Sequence, residues 1–254
     1  MGWFLVHVAA RYGTELIWGE SWVDAIPFLG FLLLAGRWWT VSADRSRTPL
    51  LAAAALFKAA VLGWREFPTF SNHSSLEMLV LLLGALGAAE DLPLDAALKS
   101  LPGLALVWSA VQKVAYGVWI RGTFPLWLSV QRPALASAFH LLGVPIPPSH
   151  GPFVAASVWP AFLGTTALVA EAAAGAAVLV LPAQRTASAA IGALVVLLGL
   201  ELVAGEWQFG LLMAGLLVLA VGDLWENRRT LVAFLAGDAM LVLWAAFSRW
   251  GAHL

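Results

Sequence analysis

The chain has 254 residues, 61% of them hydrophobic and only 11% charged, with a mean hydropathy of +0.85. Soluble domains carry about 25% charged residues, so the composition falls outside that class and points to a polytopic membrane protein forming one domain over residues 1–254. A net charge of −1 gives no argument for nucleic acid, and the absence of cysteine excludes disulfides, thiol redox chemistry and thiolate metal sites.

The first stretch, MGWFLVHVAARYGTE, is not a secretory signal, because its charge follows the apolar run and no small-residue cleavage site ends it. Beyond it, a span-length window finds apolar segments at about 17–36, 49–64, 74–89, 100–120, 156–181, 187–204, 207–222 and 230–248. The expected fold is therefore an all-α, polytopic transmembrane helix bundle of about eight spans. The second and seventh segments are short for a hydrocarbon core of about 30 Å, so burial inside the bundle or local thinning is expected there. Between spans four and five, RGTFPLWLSVQRPALASAFHLLGVPIPPSHGP has an apolar helical middle and Pro- and Gly-rich ends. It reads as an interfacial or re-entrant helix. The Ala-rich stretch AEAAAGAAV suits close helix packing through small residues.

With the N-terminus outside, the inner loops hold Arg37, Arg45, Arg47, Lys99, Arg185, Arg228 and Arg229, and the outer side holds Arg11, Arg65, Arg121, Arg132 and Arg249. Seven against five is a modest bias for a multi-pass protein of the cytoplasmic membrane. In this orientation the loops at 65–74 and 121–152 share the outer face, and a site near them opens to that side.

Ionisable groups at membrane depth are costly and serve as functional-site hypotheses. Here they are Lys58, Glu77, Lys113, Glu171, Glu201, Glu206 and Asp238. For Lys58 the plainer reading is a structural pair with a carboxylate such as Asp238, and Glu206 reads as a solvated turn residue. Lys113 stands apart because Ser109, Tyr116 and Gly117 share its helical face. Hydroxyl, amine, phenol and a position without a side chain make a polar stripe with room for a flat ligand. Burial away from carboxylates would let the lysine act as a neutral general base; a snorkelling lysine is the competing reading. Asn72, His73, Ser74 and Ser75 cluster at the start of the third span, where capping accounts for part of the pattern. His73 could orient a substrate oxygen from there.

Together, NHSSLEMLVLLL with Asn72, His73 and Ser74, and VQKVAYGVWIRG with Lys113, Trp119 and Gly122, resemble the vitamin K-dependent γ-carboxylase family. The likeness is to the horizontally transferred transmembrane domain of that family, in a short bacterial-type form, and it covers about residues 15–245. VAEAAAGAAVLVLPAQRT, with Glu171, resembles the family's later span that carries an acidic residue, and Glu201 stands where the family has a histidine. The resemblance implies a general-base role for Lys113 on a reduced naphthoquinone, menaquinol or vitamin K hydroquinone. His73 and Asn72 would hold the quinone oxygens; Ser109, Tyr116, Gly117, Trp119, Glu171 and Glu201 complete the expected binding set. It further implies O2 as co-substrate, CO2 where glutamate carboxylation follows, no metal, and contact with membrane lipid. The family's large extramembrane region, which binds peptide substrates, has no counterpart in these 254 residues. Carboxylation would thus require a peptide-presenting partner protein, and quinol oxidation or epoxidation is the core expectation. Two alternatives stay open: a non-catalytic quinone-binding subunit resembling DoxX-type membrane proteins, and a transport or structural bundle with Lys58, Glu171 and Asp238 as its charges.

Overall fold

The computed structural model describes residues 1–19, 23, 25–41, 47–66, 72–90, 95–181, 183–204, 207–221 and 228–251. Side chains of Asn72, Lys99, Arg185 and Arg249, together with Arg45 and Glu206, lie outside the described residues. The protein is all-helical, with eleven α-helices and no strand among the described residues. In chain order these are α1 (Gly2–Trp18), α2 (Ala25–Thr40), α3 (Arg47–Val61), α4 (Asn72–Glu90), α5 (Asp95–Tyr116), α6 (Thr123–Gln131), α7 (Pro133–Leu141), α8 (Val158–Val180), α9 (Ala183–Ala204), α10 (Trp207–Ala220) and α11 (Arg228–Gly251). A π-helical turn, Leu62–Glu66, extends α3.

Two stretches are long and apolar enough to cross a membrane, Val158–Val180 and Arg228–Ser248. Ala25–Thr40, His73–Ala88, Ala187–Glu201 and Trp207–Val218 are shorter apolar helices. The eight apolar segments of the sequence thus carry helices, but among the described residues only these two have both the length and the apolarity of a span by themselves. The connection at 121–152 holds two short helices, α6 and α7.

The chain forms two compact units, Met1–Lys99 with Gly222–Leu254, and Ser100–Val221. In the first, α1 packs on α2 and α11, and α3 packs on α4 and α2. Phe4, Leu5, Val8 and Tyr12 of α1 are buried there with Phe31 of α2 and Leu81 of α4. The N-terminal stretch, expected to precede the first span, is a 17-residue helix at the centre of this unit. Its buried face carries His7, Arg11, Tyr12 and Thr14, which depress the hydropathy of a segment that is nonetheless core.

In the second unit α9 packs against α8 and α10, and α6 packs against α7 and α8. Leu126, Leu128, Leu135, Phe139 and Val144 form the apolar cluster that holds α6 and α7 together. The backbones of α5 and α8 approach closely at two glycines. A Cβ on Gly103 would lie 3.0 Å from the Gly175 carbonyl oxygen, and one on Gly175 would lie 2.8 Å from that of Gly103. The small-residue packing expected of AEAAAGAAV is seen at this contact.

Candidate functional site

Lys113 lies in the last turn of α5, where the helix is closed by Gly117 at φ +67°. The Gly117 N–H bonds back to the Lys113 carbonyl at 3.1 Å, a left-handed cap that glycine adopts without a Cβ penalty. The glycine that sequence spacing offered as a gap in a polar stripe is thus a helix stop. The short turn beyond it carries Trp119 back towards the lysine. A Cβ on Gly164 of α8 would fall 2.1 Å from the Trp119 carbonyl oxygen, so only glycine lets the turn seat against that helix.

This packing surrounds the Lys113 amine with three groups. Nζ donates to Ser109 Oγ at 3.1 Å and to Glu171 Oε2 at 2.5 Å. It also stands 4.8 Å from the centroid of the Trp119 ring, within cation–π range. Glu171 is 2% exposed and Lys113 19% exposed, so the carboxylate is interior and the amine sits at its edge. The expectation of a lysine remote from carboxylates is corrected here. The close α5–α8 approach at Gly103 and Gly175 brings Glu171 to it. Tyr116 is 72% exposed, and within the four-residue stripe the side-chain hydrogen bond is that between Lys113 and Ser109.

Trp119 also walls an apolar cavity of about 210 Å³ built from the turn, α6, α8 and α9. Leu163, Thr166 and Ala170 face it from α8, and Gly199 and Leu200 from α9. Ala170 precedes Glu171 in sequence, so the cavity and the ion pair share both Trp119 and one turn of α8. Glu201 is buried in α9, where its Cγ lies 2.6 Å from the position of a Cβ on Gly210 of α10.

The first unit holds a separate set of buried charges. Lys58 pairs with Glu77 at 2.7 Å, both with no exposed surface, and donates to the Tyr12 hydroxyl oxygen at 2.7 Å. The sequence-level partner for Lys58, Asp238, instead meets His7 at 2.7 Å and accepts from the Trp3 indole N–H at 2.8 Å. Glu77 also meets Arg11 Nε at 2.9 Å; Arg11 pairs with Glu15 at 2.6 Å, and Glu15 with Arg65 at 2.5 Å. His73, near the start of α4, lies within electrostatic reach of Glu77, Arg11, His7 and Lys58. His73 and Lys113, which the family resemblance would join in one site, therefore belong to different units.

His7, Arg11, Tyr12, Glu15 and Arg65 were not among the candidate site residues. A signal for most of them is present in the sequence: Trp3, His7, Arg11 and Glu15 recur every four residues, one polar stripe on a helix. Comparison of the chain with protein-family models, curated proteins and solved structures finds no match.

Proposed function

We propose that the protein is a multi-pass membrane enzyme that acts on a reduced naphthoquinone, with Lys113 and Glu171 as its proton-accepting pair and its site open to the outer face. The observation that supports this reading is the sharing of Trp119 between a part-buried lysine–glutamate pair and an apolar cavity. An apolar cavity of about 150 Å³ is enough for benzene; about 210 Å³ suits the larger flat head of a quinone. Its lining is aliphatic and aromatic apart from the Thr166 hydroxyl, as ligand pockets mostly are.

Trp119 offers an aromatic face for stacking and simultaneously holds the Lys113 cation. A hydroquinone bound there supplies reducing electrons and phenolic protons. Lys113 can accept a proton only after its own has passed from Nζ to Glu171 Oε2, the shortest contact of the amine. Ser109 Oγ accepts from Nζ at 3.1 Å and so directs one of the amine's other N–H bonds. Glu171 is thus the reservoir that makes the lysine a base. Oxygen-dependent epoxidation, carboxylation of a partner-borne glutamate with CO2, and a quinone-orienting role for Glu201 enter this proposal through the family resemblance.

The test is oxygen-dependent turnover of menaquinol by the purified protein in lipid nanodiscs. Lys113→Ala and Glu171→Gln should each lower the rate by about 10²–10⁴, the usual contribution of a general base, while Asp238→Asn leaves it unchanged. Turnover that survives Lys113→Ala refutes the assignment. Tight quinone binding without turnover in the wild type would instead favour the non-catalytic quinone-binding reading, which the same cavity supports.

A further inference from the structure

The cavity beside Trp119 is closed at one end and open at the other. Pro125 and Leu128 of α6 are buried where they line it, whereas Thr166 of α8 and Val195 and Gly199 of α9 are exposed, Val195 at 66%. Its mouth is therefore a gap between α8 and α9. Thr166 lies about 12 Å from the start of α8 and about 21 Å from its end, at 1.5 Å per residue. Since α8 is long and apolar enough to cross a membrane, the mouth falls within the length of a candidate span, not beyond its ends.

The rim of the mouth is apolar as well. Phe162 and Val169 flank Thr166 along α8, Ile191 and Leu198 flank Val195 along α9, and each of the four is more than half exposed. From Val158 to Val180 the one charged residue is Glu171, whose side chain is buried, and from Ala187 to Leu200 there is none. Exposed apolar surface of this kind, midway along an apolar helix, is what hydrocarbon covers and water does not. Size adds a further constraint. About 150 Å³ takes one benzene ring, so a cavity of about 210 Å³ is filled by a fused pair of rings. No room is left for a chain beside them, and any chain on the ring has to leave through the gap.

We propose that the cavity is entered sideways from the bilayer, and that its ligand is a quinone whose prenyl tail runs out between Thr166 and Val195 into lipid. This inference rests on the reading of the cavity as a quinone site. The ring lies against Trp119, next to the Lys113–Glu171 pair, while the first units of the tail occupy the mouth. Val195 and Thr166 thereby select for a tailed quinone, although neither touches the ion pair. The ligand's way in is separate from the part-exposed Lys113, which is left to the proton.

The test is equilibrium binding to the purified protein in phosphatidylcholine nanodiscs. Two tritiated probes are used: menadione, which has no tail, and a menaquinone with a tail of two prenyl units. Val195→Trp places an indole in the mouth from an exposed position, and Ile191→Trp makes the same change one turn away, outside the cavity lining. Comparing each variant with wild type for one probe at a time cancels that probe's partition into lipid. Val195→Trp should weaken the tailed probe by about tenfold, the loss expected when roughly two methylenes give up their burial. Menadione should be held as in wild type, and Ile191→Trp should bind both probes normally. A wild type that binds both probes, with Val195→Trp weakening neither or both alike, overturns the sideways mouth and leaves the quinone site standing. A wild type that binds neither probe overturns the quinone reading, and this inference with it.

Discussion

Glu77→Leu isolates the energetics of the charge network in the first unit. Glu77 has no exposed surface, and its two oxygens separately meet Arg11 Nε at 2.9 Å and Lys58 Nζ at 2.7 Å. Removing it leaves two cations facing each other in the interior without their shared carboxylate. Breaking a buried pair costs about 3–5 kcal/mol. For a chain of this size each kcal/mol lowers Tm by roughly 2–4 °C, so a loss on the order of 10 °C is expected. The same change at Glu171 should cost less, about 1–2 kcal/mol, because Lys113 is 19% exposed and can swing its head towards the interface. Adding Lys58→Met to Glu77→Leu should recover part of the loss, since Arg11 keeps Glu15. Thermal unfolding in detergent, followed by helical circular dichroism, reads all four proteins. A Glu77→Leu protein within about 2 °C of wild type, or one no worse than Glu171→Leu, would refute the reasoning.

Gly175→Leu should separate α5 from α8, because its Cβ would meet the Gly103 carbonyl at 2.8 Å and the Val107 amide at 2.9 Å. Overpacking costs about 1–3 kcal/mol, read as a lower Tm together with lost menaquinol turnover as Glu171 parts from Lys113. Gly122→Ala should lower Tm as well: its φ is +73° and a Cβ would lie 2.6 Å from the Ala161 nitrogen, so strain of about 1–2 kcal/mol adds to a backbone clash. Leu126→Ala, in the α6–α7 cluster where Leu126 is 1% exposed, should cost about 2–5 kcal/mol by the same thermal assay.

The sequence carries the helical class and singles out Lys113, because a lone ammonium in an apolar run is visible to any hydropathy scale. It does not carry the lysine's partner. Glu171 lies 58 positions away, and their meeting depends on backbones that touch only where Gly103 and Gly175 lack side chains. Spacing places Gly117 on the lysine's face, but that its positive φ ends the helix there is a backbone property the spacing does not carry. The hydropathy that reveals apolar spans also concealed α1. His7, Arg11 and Tyr12 look like surface residues in sequence, and only tertiary pairing with Asp238, Glu77 and Lys58 makes them core. Lys58 was expected to have an acidic partner, but one-dimensional reasoning cannot choose between Asp238 and Glu77.

Gly199 offers the most direct test of the proposed quinone site, because it lines the cavity and a Cβ there meets nothing within 4 Å. Gly199→Leu can fill the space beside Trp119 without disturbing the helix backbone. Mass spectrometry of lipids co-purifying with the protein should find a naphthoquinone with the wild type and little or none with Gly199→Leu at equal protein recovery. A wild-type protein that carries no quinone, even after incubation with menaquinone, or a Gly199→Leu protein that carries as much as wild type, would contradict the account.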